Sequence, residues 1–171
     1  MYLILTKQLL YNKVWEILET VMDPEVPVLS VTDLGIVRNV IINNYDSIEI
    51  TITPTYSGCP ATDFITMSIR MAMLENGFKD FTIKESLSPA WTTEWMTEEG
   101  KQKLKEYGIA PPHLAKKINA DILFSDDDDA VQCPHCNSYN TSVVSNFGST
   151  ACKALYKCLD CKEPFDYFKC H

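Results

Sequence analysis

Two Cys-x-x-Cys pairs, Cys133-Pro-His-Cys136 and Cys158-Leu-Asp-Cys161, stand 21 residues apart near the end of a 171-residue chain. Four soft sulfur donors in two tight knuckles are what a tetrahedral thiophilic ion takes, and zinc is the usual occupant. This pattern divides the chain. Residues 131–171 read as a small unit folded about a metal, residues 126–130 as a linker, and residues 1–125 as a separate domain in which other chemistry must be sought.

The sequence holds seven cysteines, six of them after residue 130. An odd count with paired knuckles favours reduced thiols and metal over a disulfide framework. The apolar start MYLILTKQLLYNKVW lacks a basic lead and a small-residue cleavage site, so a cytoplasmic protein is expected. No window approaches the roughly 18 apolar residues of a membrane span. Net charge is −8; residues 1–125 hold 11 Lys+Arg against 16 Asp+Glu, and Asp126–Asp129 adds four acids in a row. Nucleic acid wants clustered positive charge, and neither part offers it. Four adjacent carboxylates repel one another and stay solvated, which suits an extended linker better than a hard-cation site.

In the first domain Val14, Ile17, Leu18 and Val21 mark one buried face of a helix over 12–22. The prolines of Asp23-Pro24-Glu25-Val26-Pro27 end it. Residues 36–42 and 47–53 read as an antiparallel hairpin, its turn at Asn43–Asp46. A helix over 60–76 carries Phe64, Ile65, Met67, Ile69, Met71 and Leu74 and is expected to be buried on most sides. A strand over 78–87 and a charged helix over 97–107 follow. The fold class is therefore α+β: a small mixed α/β sandwich (helix, hairpin, helix, strand, helix) followed by a zinc ribbon.

In the ribbon, Ser142–Ser145 and Ala154–Lys157 read as short strands between the knuckles. The residue after each knuckle often adopts a left-handed backbone. Asn137 tolerates that; Lys162 is less suited, which leaves room for another geometry there. Four thiolates leave no open coordination position, so the zinc is read as structural rather than catalytic. The surplus donors Cys152, Cys170, His135 and His171 leave an exchangeable metal or iron–sulfur cluster open; packing, tail ordering and simple exposure are the plainer readings.

Cys59 is the lone cysteine of the first domain, and Pro60 after it suits the first helical position. A thiol at a helix start is favoured as thiolate by the dipole and free amides, which suits reactivity or metal contact. Packing as a small hydrophobe is the plainer alternative. Asp23, Glu25 and Asp33 lie in loops that can converge on the same edge, although Asp23 and Asp33 also suit backbone capping. No Ser/His/Asp triad, glycine-rich phosphate loop or Glu-x-x-His pair is present. Trp91 and Trp95 suit either core packing or an exposed anchor for a partner.

With these residues assembled, the chain resembles the PaaD (also PaaJ) family, encoded with the bacterial phenylacetyl-CoA epoxidase. The resemblance is carried by Asp23–Pro27, Thr32–Val37, Pro54–Ala61, Ser88–Met96, and the tail segments Phe147–Tyr156 and Phe165–His171. The first domain is also similar to the SufT-like metal–sulfur cluster assembly family, with its Cys-Pro at a helix start. The resemblance implies an accessory factor of aerobic phenylacetate degradation that matures an iron–sulfur or di-iron centre and does not itself turn over substrate. It implies a transient iron or cluster site at Cys59 with Asp23 and Glu25, and the epoxidase oxygenase and reductase subunits as partners; self-association stays open. The alternative is an integral non-catalytic subunit of the oxygenase complex. A nucleic-acid regulator and a thiol–disulfide exchanger fit the residues less well.

Overall fold

The computed structural model describes residues 2–43, 47–112 and 131–169, with side chains from Lys7 onward in the first helix. The acidic run Asp126–Asp129, His113, Cys170 and His171 lie outside the described residues. The chain divides into two compact units, Met1–Gly100 and Lys101–His171.

In the first unit, helix α1 spans Tyr2–Glu19. Val14, Ile17, Leu18 and Val21 are buried as their spacing predicts. The helix begins at Tyr2 rather than Asn12, carried upstream by helix formers such as Lys7, Gln8, Leu9 and Leu10; Leu9 there is exposed. Strands β1 (Val37–Ile42) and β2 (Ile48–Ile52) pair antiparallel, and β2 pairs parallel with β3 (Phe81–Glu85), giving the order β1-β2-β3. Helix α2 (Ala61–Glu75) makes the crossover between the two parallel strands. Val37, Val40, Ile48, Ile50 and Ile52 of the sheet are buried, as are Ile65, Ile69 and Met73 of α2. Burial on most sides of α2 was expected, and the structure corrects it. Phe64, Met67, Met71 and Leu74 stand in solvent, because the sheet and α1 cover only one side of the helix.

The register brings three segments to one end of this sheet. Val37, at the start of β1, pairs with Ile52 at the end of β2, and Ile52 pairs with Glu85 at the end of β3. Thr53 N donates to Ile36 O at 2.8 Å, and Ser86 N to Ile52 O at 2.9 Å. The loop before β1, the loop between β2 and α2, and the segment after β3 therefore gather at the carboxyl ends of the parallel strands.

Helix α3 spans Glu98–Tyr107, and the division between units falls within it. The second unit is a four-stranded sheet in the order β4-β7-β6-β5, formed by β4 (Ile109–Ala110), β5 (Thr141–Ser145), β6 (Lys153–Cys158) and β7 (Pro164–Phe168). β4 joins by pairing parallel with β7. Ala110, Val131, Cys133, Cys158 and Phe165 form one buried cluster in it, and Ala154 and Phe168 are buried as well. Tyr156 stacks on Phe165 and meets Tyr167 edge-on.

Candidate functional site

The two knuckles bring their four sulfurs together. The Sγ atoms of Cys133, Cys136, Cys158 and Cys161 all lie within 4.8 Å of one another, with Cys133 to Cys161 at 3.8 Å and Cys136 to Cys158 at 3.5 Å. A tetrahedron with bonds of about 2.3 Å has edges of about 3.8 Å, so the quartet fits a zinc ion. Each knuckle is closed by its backbone: Asn137 N donates to Cys133 O at 2.9 Å, and Cys158 N to Glu163 O at 3.0 Å. Asn137 has φ +62°, as expected. Lys162 has φ +70°, so the second knuckle takes the same left-handed geometry even without a tolerant residue. Closing the turn around the sulfurs outweighs the local strain.

The sulfurs also shift one another's ionisation. Burial raises Cys158, but amide donation from Cys161 and Asp160, with help from the facing thiols, carries it down to about 7. The Glu163 amide favours a Cys161 thiolate; burial and the three facing sulfurs outweigh it and push Cys161 up to about 12. Sulfurs this close cannot all ionise unless a cation sits among them.

One contributor was not legible in the sequence. Asp160, inside the second knuckle, reaches the residues after the first. It accepts hydrogen bonds from Ser138 Oγ and, at 2.7 Å, from Asn140 Nδ2, and these bonds hold its carboxyl below the usual range. Leu159 N adds a 2.8 Å bond to Asn140 O. A variable position within a Cys-x-x-Cys carries no sequence signal for such a bridge. Of the surplus donors, Cys152 is buried with its sulfur 3.0 Å from Thr150 Oγ1, and His135 is exposed.

At the sheet end of the first unit, Cys59 is half-buried, just before α2. Pro60 is the cap residue rather than the first helical residue, and it offers no side-chain oxygen to the amides behind it. Cys59 N donates to Tyr56 O at 3.3 Å, and its own carbonyl accepts from Thr62 N at 3.1 Å. The preceding Gly58 has φ +80° with open space where a side chain would be. The thiol therefore stands at the electropositive end of a 15-residue helix, on an exposed turn.

The expected acidic neighbours are held in their own loops. Asp23 Oδ1 accepts from Glu25 N at 2.8 Å and Val26 N at 2.7 Å, closing the turn that buries Val26 and Leu29. Asp33 Oδ2 accepts from Ser30 N at 3.0 Å, and Oδ1 from Thr97 Oγ1 at 3.2 Å. Among the described residues, the ribbon quartet is the set of three or more His, Cys, Asp or Glu donors close enough to share an ion; Cys59, Asp23 and Glu25 are not in it.

The segment after β3 is locked over the loop before β1. Trp91 is buried and its Nε1 donates to Leu34 O at 2.8 Å. The Arg38 guanidinium lies 3.5 Å from the Trp95 ring centroid. Both tryptophans thus serve packing rather than an exposed anchor. Three stretches far apart in sequence, the loop holding 23–27 and 32–37, then 54–61, then 88–96, build this one region.

Residues 12–77 match the profile of the iron–sulfur cluster assembly protein family, and residues 121–169 that of the PaaD zinc beta ribbon domain. Over 159 residues the chain is 49% identical to an Escherichia coli K12 protein provisionally named as one of the subunits of 1,2-phenylacetyl-CoA epoxidase, covering 93% of this chain and 92% of that protein. The chain belongs to the PaaD family. Its PaaD ribbon is the unit that holds the four-cysteine cluster. Its first unit has a separate likeness: 39% identity over 88 residues, 51% of this chain and 83% of the other, to an Fe-S protein maturation auxiliary factor of Porphyromonas gingivalis W83. A crystal structure of a DUF59 domain from Bacillus anthracis superposes with TM-score 0.54 at 27% identity, covering 57% of this PaaD chain and 92% of that one. No helix among the described residues is long and apolar enough to cross a membrane.

Proposed function

We propose that this PaaD-family protein is a cytoplasmic, non-catalytic accessory factor of aerobic phenylacetate degradation, and that it matures an iron–sulfur or di-iron centre of the phenylacetyl-CoA epoxidase system. Cys59 is the point at which the cargo, iron or a cluster, is transiently held. The placement of that thiol carries the reading. It is partly exposed, follows Gly58 in a left-handed turn, and precedes α2, whose start has no side-chain cap, at the carboxyl ends of β2 and β3. Asp23 and Glu25 supply negative charge from the loop around the first strand rather than fixed ligands. A lone thiolate binds a metal ion or cluster weakly enough to pass it on, which suits delivery better than storage.

In this reading the ribbon holds one structural zinc, closed by Cys133, Cys136, Cys158 and Cys161, and docks the oxygenase or reductase subunits. The decisive experiment replaces Cys59 by Ser in the full chain and measures iron in the epoxidase oxygenase and reductase produced alongside it. Iron-poor components are expected; full loading of both in the mutant eliminates maturation through Cys59. The name of the E. coli relative favours a second reading, an integral subunit of the oxygenase complex. That reading requires fixed-stoichiometry co-purification, with activity lost when the chain is stripped from already loaded enzyme.

A further inference from the structure

Helix α2 has two apolar faces. Ala61, Ile65, Ile69 and Met73 are buried. Phe64, Met67, Met71 and Leu74, on the opposite side, keep 69%, 61%, 54% and 51% of their surface in water. Isolated exposed apolar residues need no explanation, but a continuous stripe does. The spacing of three, then four, then three residues is that of heptad a and d positions, the seam that a second helix fills with knobs in holes. The four side chains expose roughly 400–500 Å² of apolar surface.

The flanking e and g positions are Asp63, Ser68, Arg70 and Glu75. Arg70 is turned toward the Phe81 ring of β3, 5.7 Å from its centroid. That leaves a carboxylate near each end of the stripe. The field behind it is acidic as well: residues 1–100 hold six Lys+Arg against fourteen Asp+Glu, a net charge of −8.

We propose that the Phe64–Leu74 seam is a docking surface for one amphipathic helix of a partner protein, apolar along one face and flanked by Lys or Arg. The charges select that occupant: basic flanks meet Asp63 and Glu75 and are drawn by the net field. Methionine at the two central positions lets the seam adapt to seams of different shape. A second copy fits less well. Two units of charge −8 would have to meet, and the exposed stripe is about half of the ~800 Å² per partner that a stable dimer buries.

The test uses the full chain and two synthetic helices, both with leucine at a and d, one with lysine and one with glutamate at e and g. Binding is read by anisotropy of the labelled helix and by methyl NMR of the methionines. The lysine helix is expected to bind, to shift the Met67 and Met71 methyl signals, and to weaken as salt is raised. Met67→Lys with Met71→Lys should weaken it at least tenfold without changing thermal unfolding, since both side chains already stand in water. Asp63→Lys with Glu75→Lys, which leaves the seam intact, should reverse the preference toward the glutamate helix. Equal binding of both helices, methyl shifts confined to methionines outside the seam, or a free chain that sediments as a dimer until Met67→Lys and Met71→Lys dissociate it would overturn the proposal.

Discussion

Gly35 and Gly58 both hold a positive φ, +67° and +80°, but for different reasons. A Cβ on Gly35 would lie 2.2 Å from Trp95 O, whereas one on Gly58 meets nothing within 4 Å. Gly58→Ala should therefore cost only the backbone strain, about 1 kcal/mol. Gly35→Ala should cost at least ~3 kcal/mol, because the Trp91–Trp95 segment must move as well. Urea unfolding of the two variants separates these expectations, and equal losses would refute the close packing at Gly35. Asp33 makes a second residue-level case. Its carboxylate holds Ser30 N and Thr97 Oγ1, and Thr97 Oγ1 in turn accepts from Gly100 N at the start of α3. Asp33→Ala should destabilise by about 2–3 kcal/mol, since the buried Ser30 amide loses a charged acceptor and Thr97 loses its anchor. The capping role of Asp23 and Asp33 was readable from their turn-forming neighbours; their partners, up to 64 positions away, were not.

Among the elements, the ribbon depends most on something other than its own packing. Among its described residues, the cluster of Ala110, Val131, Cys133, Cys158 and Phe165 is small, and two of the five are knuckle cysteines. Structural zinc in such small folds contributes apparent folding free energies of about 10–16 kcal/mol. Cys133→Ser should abolish stoichiometric zinc, as measured by elemental analysis of the purified protein. Chelation should melt β5, β6 and β7 and leave the first unit folded. The tryptophans make this easy to follow: Trp15, Trp91 and Trp95 all lie before residue 100. Loss of β-sheet circular dichroism with unchanged tryptophan emission is the expected result; a concerted loss of both signals would argue against independent units. Asp160→Ala should speed zinc release to a chelator, because it unties the second knuckle from Ser138 and Asn140. Acid should release the metal too, since protons compete for the thiolates.

For the whole molecule, the charge is unevenly shared. Residues 1–100 carry −8, whereas residues 101–171 balance nine Lys+Arg against nine Asp+Glu. The ribbon itself, residues 131–171, holds four Lys against three acids, and four thiolates on a divalent ion turn that +1 to −1; with no surplus to neutralise phosphates, duplex DNA should show no mobility shift with this protein even at low salt. The sequence alone determined what neighbouring residues decide among themselves: two knuckles able to share an ion, an antiparallel pair of strands, and a cysteine-proline step into a helix. These depend on spacing and local sterics, and both travel with the chain wherever it folds. The tertiary structure decided which of two apolar faces of α2 is covered. It also decided which carboxylates are tied into their loops, and that three separated segments gather at one sheet end. Those outcomes depend on contacts such as Trp91 with Leu34, 57 residues apart, and on how much area the sheet has to cover a helix. Periodicity reports that a side chain is apolar; only the packed neighbours determine whether it meets protein or water.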